Sequence, residues 1–259
     1  MRGVILAAGR GDRLSDVTGA RPKCLARLGA ETLIERQLRV LRACGVGPIT
    51  VVGGYGIDEV RSLCGSRVDL RHNADFASTN SLYSLWLARD VLADGFVVLN
   101  CDVLFHPQLL VDLLTAEYED ALLMGARGDI EYSDEEMKVR VRAGRVTAIA
   151  KHIPSSDADG ENIGIARFGA AGAAVLVEEI DRLIAQGDVT AWLPAAFSAF
   201  SARRPLHVVE SRGLPWIEID SSADYWRACA TVLPRIDGGD TRHRQLEAPV
   251  TAGRIARHV

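Results

Sequence analysis

The residues with the chemistry to hold a polyphosphate and a metal are few and far apart in the chain. Of the 30 basic residues, lysine stands only at Lys23, Lys138 and Lys151; the rest are arginine. In a chain so biased to arginine, a position content with any cation has had every chance to become Arg. The surviving lysines therefore mark sites for a compact ammonium, which suits a single phosphate oxygen better than a planar fork does. Two aspartates complete the set. Asp102 comes just behind Phe96-Val97-Val98-Leu99, and Asp220 directly follows Trp216-Ile217-Glu218-Ile219. One acid at a strand end is often only a helix cap. Two such acids, in a chain with a phosphate loop at a third strand, point to Mg²⁺, which takes hard oxygen ligands and needs one or two carboxylates plus the phosphates of a substrate.

The phosphate loop is read from the first twenty-five residues. Gly3-Val4-Ile5-Leu6 is a short apolar run bounded by glycine, as a buried strand would be, and Gly9 and Gly11 prevent its continuation as a helix. Ala7, Ala8 and Gly9 leave backbone amides uncovered, so an anion or the edge of a base can approach. Arg10, Arg13, Arg21 and Lys23 add positive charge to the same stretch. Two better-known glycine loops fit poorly. Leu14 stands where a dinucleotide fingerprint needs glycine, the next strand ends Val52-Gly53-Gly54-Tyr55 with no acid, and no Gly-Lys-Ser/Thr occurs.

These groups need elements to carry them. Helical spacing over Glu31 to Cys44 ends at Gly45, a strand follows over Ile49 to Val52, and Ile57 to Leu63 is a short helix. Val68 to Arg71 alternates, as a strand near an edge would; Ser81 to Leu92 is helical, and Phe96 to Leu99 is a strand. This alternation predicts an α/β fold with a doubly wound, mostly parallel sheet. Later, Lys138 to Val141 and Arg145 to Ala150 flank Ala143-Gly144 as a β-hairpin. Helices over Ala170 to Ala185 and Ala191 to Ala199, a strand over Trp216 to Ile219 and a helix over Ala223 to Val232 complete residues 1–232 as one domain with a small hairpin and helical lobe. Residues 233–259 are expected to be a polar, loosely held tail with no catalytic role.

Composition bounds the partners. With 259 residues and a net charge of −4, the chain is large enough for one α/β domain and unsuited to nucleic acid as its main partner. Five cysteines without a CxxC pair predict a reduced cytoplasm rather than a disulfide framework or zinc site, and no apolar run is long enough for a membrane span or signal peptide.

Leu6-Ala7-Ala8-Gly9-Arg10-Gly11-Asp12-Arg13-Leu14 followed by Arg21-Pro22-Lys23 resembles the signature of the sugar-phosphate nucleotidyltransferases, LAAGxGxRL followed by PK. Asn73 to Ala77, Asn80 to Leu85, Asn100-Cys101-Asp102 and Glu218 to Tyr225 look most like the bacterial phosphocholine and phosphonate cytidylyltransferases within that superfamily. The resemblance implies a Rossmann-like nucleotidyltransferase fold. It implies that Leu6, Ala7, Ala8, Gly9 and Gly11, with Gly53, Tyr55, Asn80 and Ser81, hold the nucleotide. Arg13 and Lys23 would bind the triphosphate, Asp102 and Asp220 the Mg²⁺, and Lys151 the phosphate of the acceptor.

The activity so implied is transfer of CMP from CTP to a small phosphate or phosphonate acceptor, with release of pyrophosphate. One departure bears on the acceptor. Sugar-accepting members carry a Glu-Lys pair where this chain has Ala150-Lys151, and alanine cannot accept a hydrogen bond from a sugar hydroxyl. Glu161, in a segment that matches the family near the acceptor, is a substitute. Tyr83, Trp192 and Trp216 either form an aromatic wall for a quaternary ammonium or belong to the core, and Lys138 either meets a second acceptor anion or ends a solvated hairpin. Two other functions stay open: a thymidylyl- or uridylyltransferase acting on a sugar 1-phosphate, and a noncatalytic nucleotide sensor that needs the cations but not both acids. Oligomeric state is also open.

Overall fold

The computed structural model describes residues 1–19, 21–126 and 136–239. The run at the amino terminus becomes β1 (Arg2–Ala7), buried from Gly3 onward. A two-residue antiparallel pair follows, β2 (Arg27–Leu28) and β3 (Glu31–Thr32), then β4 (Ile49–Gly53), β5 (Asp69–His72) and β6 (Phe96–Asn100). β5, β4, β1 and β6 lie side by side in that order, each pair parallel. Val68 to Arg71 was expected near an edge, and β5 is the edge.

Because the chain builds outward from β1 to β5 and then crosses back to β6, the carboxyl ends of β1 and β6 flank a topological switch point. Open α/β sheets bind ligands there.

Beyond β6 the sheet changes direction. β8 (Ala121–Ala126), β9 (Lys138–Arg142), β10 (Arg145–Ala150), β11 (Gly160–Phe168) and β12 (His207–Glu210) extend it to nine strands. β11 runs antiparallel to β6 and to β8, and the hairpin β9–β10 joins the same sheet through β11 and β12. Ala143 and Gly144 both have positive φ, 50° and 73°, as a two-residue hairpin turn requires.

Successive side chains of a strand point to opposite faces, and the sheet has a core on each. Ile5, Val51, Val97 and Leu99 face Ile34, Leu38 and Leu41 of the helix Leu33–Ala43 and Leu109, Leu110 and Leu113 of Pro107–Thr115. Val4, Leu6, Val52 and Val98 face Leu82 and Leu85 of Ser81–Trp86, Leu176 and Ile180 of Ala170–Ala185, and Phe197 and Phe200 of Pro194–Ser201.

Three expectations need correction. The strand ahead of Asp220 is not part of the large sheet: β13 (Trp216–Glu218) pairs antiparallel with β7 (Val103–Phe105) as a separate two-stranded ladder. The helix from Ser81 stops at Trp86, and a 3₁₀ turn, Arg89–Val91, leads toward β6. The boundary expected at 232 falls inside a continuous helical run, from Ser222–Arg227 through a π turn, Ala228–Val232, into Leu233–Gly239. Ile236 is buried there among Leu28, Leu33 and Val232, and Arg36 pairs with Asp237 at 3.1 Å, so residues 233–239 pack as part of the domain. The remaining tail, 240–259, lies outside the described residues, as do Asp134 and Glu135 ahead of Lys138.

Candidate active site

At the switch point the structure has a cavity of about 490 Å³. Leu6 near the end of β1, Ala8, Gly9, Gly11, Arg13 and Lys23 from the stretch after it, and Asp102 just beyond β6 line it. Asn80 and Ser81, Lys151 and Trp192, and Asp220 close the circle. Most of the expected site residues are therefore neighbours, though they come from six parts of the chain.

The glycines act through particular contacts. Gly11 has φ +72°, and a Cβ there would lie 2.7 Å from Cβ of Lys23, so only glycine lets the lysine pass beneath the loop. Lys23, on a 3₁₀ turn behind Pro22, is 9% exposed. Its Nζ donates to Asp102 Oδ2 at 2.9 Å and to Asp220 Oδ1. Arg13 Nη2 lies 3.4 Å from Asp220 Oδ2. Burial works against the Lys23 charge, but Asp102 and Asp220 outweigh it and hold the ammonium well above its ordinary value.

The two acids meet through backbone pairing. In the β7–β13 ladder Glu218 stands opposite Val103, and the Ile219 N–H donates to the Asp102 carbonyl at 3.0 Å. Gln37, buried on its helix, donates to the carbonyls of Asn100 at 2.9 Å and Val103 at 3.0 Å, so it braces the turn that carries Asp102. The same ladder brings in an acid that the sequence reading passed over. Glu218 is two residues from Asp220, on the same side of an extended chain, and oxygens of Asp102, Glu218 and Asp220 all lie within 4.8 Å of one another. Desolvation, reinforced by Asp102 and Asp220, raises the Glu218 carboxyl well above the usual range.

Several expected residues sit elsewhere. Gly53 and Tyr55 do not line the cavity but stand behind its wall: the Tyr55 N–H donates to the Ala8 carbonyl at 3.1 Å, and its ring meets Phe76 edge-on at 6.0 Å. Phe76 lines the cavity in place of Tyr55, with Asn73, Thr79 and Ser84 from the same segment. Ala7 is core.

The three aromatic residues do not form one wall. Tyr83 stacks on Trp86 at 5.3 Å between centroids, and the Trp216 ring packs where a Cβ on Gly125 would lie 2.4 Å away. Trp192 alone reaches the cavity, with Lys151 Nζ 5.3 Å from its ring centroid.

Lys138 is neither a solvated hairpin end nor a lining group. Its register opposite Ala150 and Glu161 buries it between β10 and β11, 1% exposed, and its ammonium donates to the Lys151 carbonyl at 2.7 Å. Glu161 is also buried and off the cavity, while the adjacent Asn162 lines it. One oxygen of Glu161 has no hydrogen-bond partner, and desolvation, followed by Glu136, pushes its carboxyl up to about 7.

Comparison with known proteins gives the family. The profile of the MobA-like NTP transferase domain matches residues 3–199. The chain belongs to this nucleotidyltransferase family. Among its relatives, the choline-phosphate cytidylyltransferase of Streptococcus pneumoniae is 29% identical over 236 residues, covering 87% of this chain and 95% of that protein. A bifunctional IPC transferase and DIPP synthase of Rubrobacter xylanophilus is 31% identical over 224 residues. That match takes in 85% of this chain but 49% of the Rubrobacter protein, so the chain spans about half of that relative.

The solved structure of the CTP:phosphocholine cytidylyltransferase of S. pneumoniae superposes with a TM-score of 0.73 at 26% identity, over 88% of this chain and 97% of the other. The inositol-1-phosphate CTP transferase of T. maritima, at 22% identity, shares the fold with a TM-score of 0.76 over 92% of this chain and 96% of that one. The likeness read from the glycine signature, with its α/β Rossmann-like fold, holds for this nucleotidyltransferase. No helix among the described residues is long and apolar enough to cross a membrane.

Proposed function

We propose that this nucleotidyltransferase transfers CMP from CTP to a small phosphate monoester or phosphonate. The observation that carries the reading is the convergence of Lys23, Arg13 and three carboxylates at the mouth of β1 and β6, with Lys151 on the same cavity. An oxygen of the acceptor attacks the α-phosphorus, a P–O bond forms, and the bond from that phosphorus to the bridging oxygen breaks as pyrophosphate leaves. The acceptor is an anion at neutral pH, so no protein nucleophile or general base is required.

The residues then act by alignment and charge. The loop 6–11 and residues 73–84 cradle the nucleotide, Lys23 and Arg13 stabilise the leaving pyrophosphate, and Lys151 holds the acceptor phosphate. The donor set suits magnesium: its atoms are hard carboxylate oxygens, and Asp102 Oδ1 is buried with no hydrogen bond. Asp102 and Asp220, with Glu218, would hold the ion, which when bound supplies positive charge to the reacting phosphate oxygens.

Ala150 in place of a sugar-binding glutamate supports an acceptor other than a hexose 1-phosphate. Relatives bear names for choline phosphate and for 2-aminoethylphosphonate, the latter from Lancefieldella rimae at 34% identity over 95 residues. Those names support testing both compounds here.

The test is pyrophosphate release with CTP, UTP and dTTP against phosphocholine, 2-aminoethylphosphonate, inositol 1-phosphate and glucose 1-phosphate. CTP with one of the first three is the expected active pair; turnover confined to UTP or dTTP with glucose 1-phosphate overturns the reading. In the active pair, Asp102→Asn is expected to lose at least about a hundredfold in kcat, the order seen when one preorganised charge is removed.

A further inference from the structure

The basic groups assigned to the phosphates and the acids assigned to the metal are bonded to each other. Lys23 Nζ engages one oxygen of Asp102 and one of Asp220, and Arg13 takes the other oxygen of Asp220. Three of the four oxygens on these two carboxylates thus face a cation belonging to the protein. The fourth, Asp102 Oδ1, is buried without a hydrogen bond.

We infer that Lys23 and Arg13 are resident competitors for the metal's carboxylates, so that a divalent cation gains Asp102 and Asp220 only when a triphosphate draws the two basic groups away. The inference rests on the reading that this site takes a nucleoside triphosphate with a divalent ion.

Three observations carry it. Lys23 is buried, so an ammonium displaced from the acids cannot simply be given up to solvent and needs another anion nearby. Its stem runs against Gly11, on the loop assigned to the phosphates, so that anion can be the nucleotide itself. The exchange also keeps Asp102, Asp220, Lys23 and Arg13 paired: the two aspartates with lysine and arginine before, the aspartates with metal and phosphate with lysine and arginine after. Metal alone would leave a displaced ammonium unpaired, and a triphosphate alone would leave the acids unpaired. Each ligand then favours the other to the same degree, because coupling between binding equilibria is reciprocal.

Manganese, whose free ion is counted by electron paramagnetic resonance, tests this without turnover. In the absence of nucleotide, Lys23→Met is expected to bind one Mn²⁺ at least about tenfold more tightly than the wild-type protein, and Lys23→Met/Asp102→Asn is expected to lose that gain. Equal affinity of wild type and Lys23→Met overturns the inference.

A second measurement leaves the acids neutralised. The chain has lysine at only three positions, so ε-¹³C-lysine labelling gives a spectrum in which Lys23 is assigned by its loss in the charge-preserving Lys23→Arg. Millimolar Mg²⁺ alone is expected to leave the Lys23 signal in place, and Mg²⁺ with CTP to move it. Movement by Mg²⁺ alone, as large as that with CTP, overturns the inference. No response to Mg²⁺ and CTP together, with no Mn²⁺ bound by either protein, removes the nucleotide and metal reading and the inference with it.

Discussion

A carboxyl buried with one oxygen unpartnered is costly to ionise, and Glu161 is such a group. Below about pH 4.5 it is protonated in both the folded and the unfolded chain. As pH rises toward 7 the unfolded chain ionises first, so the folded state loses stability, and above 7 the loss is complete, on the order of 3 kcal/mol. Glu161→Gln removes this slope: relative to wild type it is expected to be more stable at pH 8 than at pH 4 in denaturant titrations, and a pH-independent difference would refute the assignment. Lys138 acts at one remove from the cavity. Lys138→Met leaves the Lys151 carbonyl without its donor and is expected to raise the acceptor KM by about tenfold while the KM for CTP stays near wild type, with partial recovery in Lys138→Arg. Residues with a distinctive type were legible in the sequence: a rare lysine at 23, and acids behind apolar runs at 102 and 220. Glu218 was hidden because it lies within the apolar run that made Asp220 visible, and Gln37 because nothing marks a helical glutamine as the brace of a distant turn. Alternation was the available signal for Glu218, since a side chain two residues before Asp220 shares its side of a strand.

Among the elements, those that announce themselves by period were legible from sequence, and those defined by their partners were not. The main strands and helices up to Leu99 alternate as expected, except that β3 takes Glu31 and Thr32 from the expected helix and the helix from Ser81 ends early, and Ala143-Gly144 marked its hairpin. β7 is three residues long and β13 pairs only with it, so neither the ladder nor its role in joining the acids follows from local pattern. β11 went unread for a related reason: it is buried by strands on both flanks, and Gly160 and Gly164 interrupt its apolar pattern; the helix Pro107–Thr115 carries its signal, Pro107 in the first turn with Leu109, Leu110 and Leu113, and was passed over with β8 and β12. Gly54 shows how closely elements approach at the cavity. A Cβ there would lie 2.6 Å from Cβ of Phe76 and 2.7 Å from the Ala8 carbonyl oxygen, so Gly54→Ala must push apart the loop after β1 and the segment carrying Phe76. Overpacking of this kind costs about 1–3 kcal/mol. The variant is expected to bind CTP about tenfold more weakly by calorimetry, and wild-type affinity would mean that the two segments do not depend on their spacing.

For the molecule as a whole, the helical run closing the described structure is part of the site's foundation. Ile236 packs in one cluster with Leu14, which follows the glycine loop, and Ile219, which precedes Asp220. Ile236→Ala removes buried apolar volume beneath both, and a loss of about 2–4 kcal/mol is expected, read as a fall in Tm together with weaker nucleotide binding. A fall in Tm alone would show that the cluster supports the fold without positioning the loop. The family profile ends at residue 199, ahead of β13, so the segment that it matches holds the cradle and Asp102 but neither Glu218 nor Asp220. This arrangement has a consequence on the ribosome. Translation at about 5–20 residues per second separates Asp102 from Asp220 by on the order of ten seconds, and during that interval the chain made so far contains Lys23 and Asp102 but neither Glu218 nor Asp220. On the proposed reading, then, a chain that stops short of β13 has one of the three carboxylates, and nucleotide turnover is expected only once the β7–β13 ladder has formed.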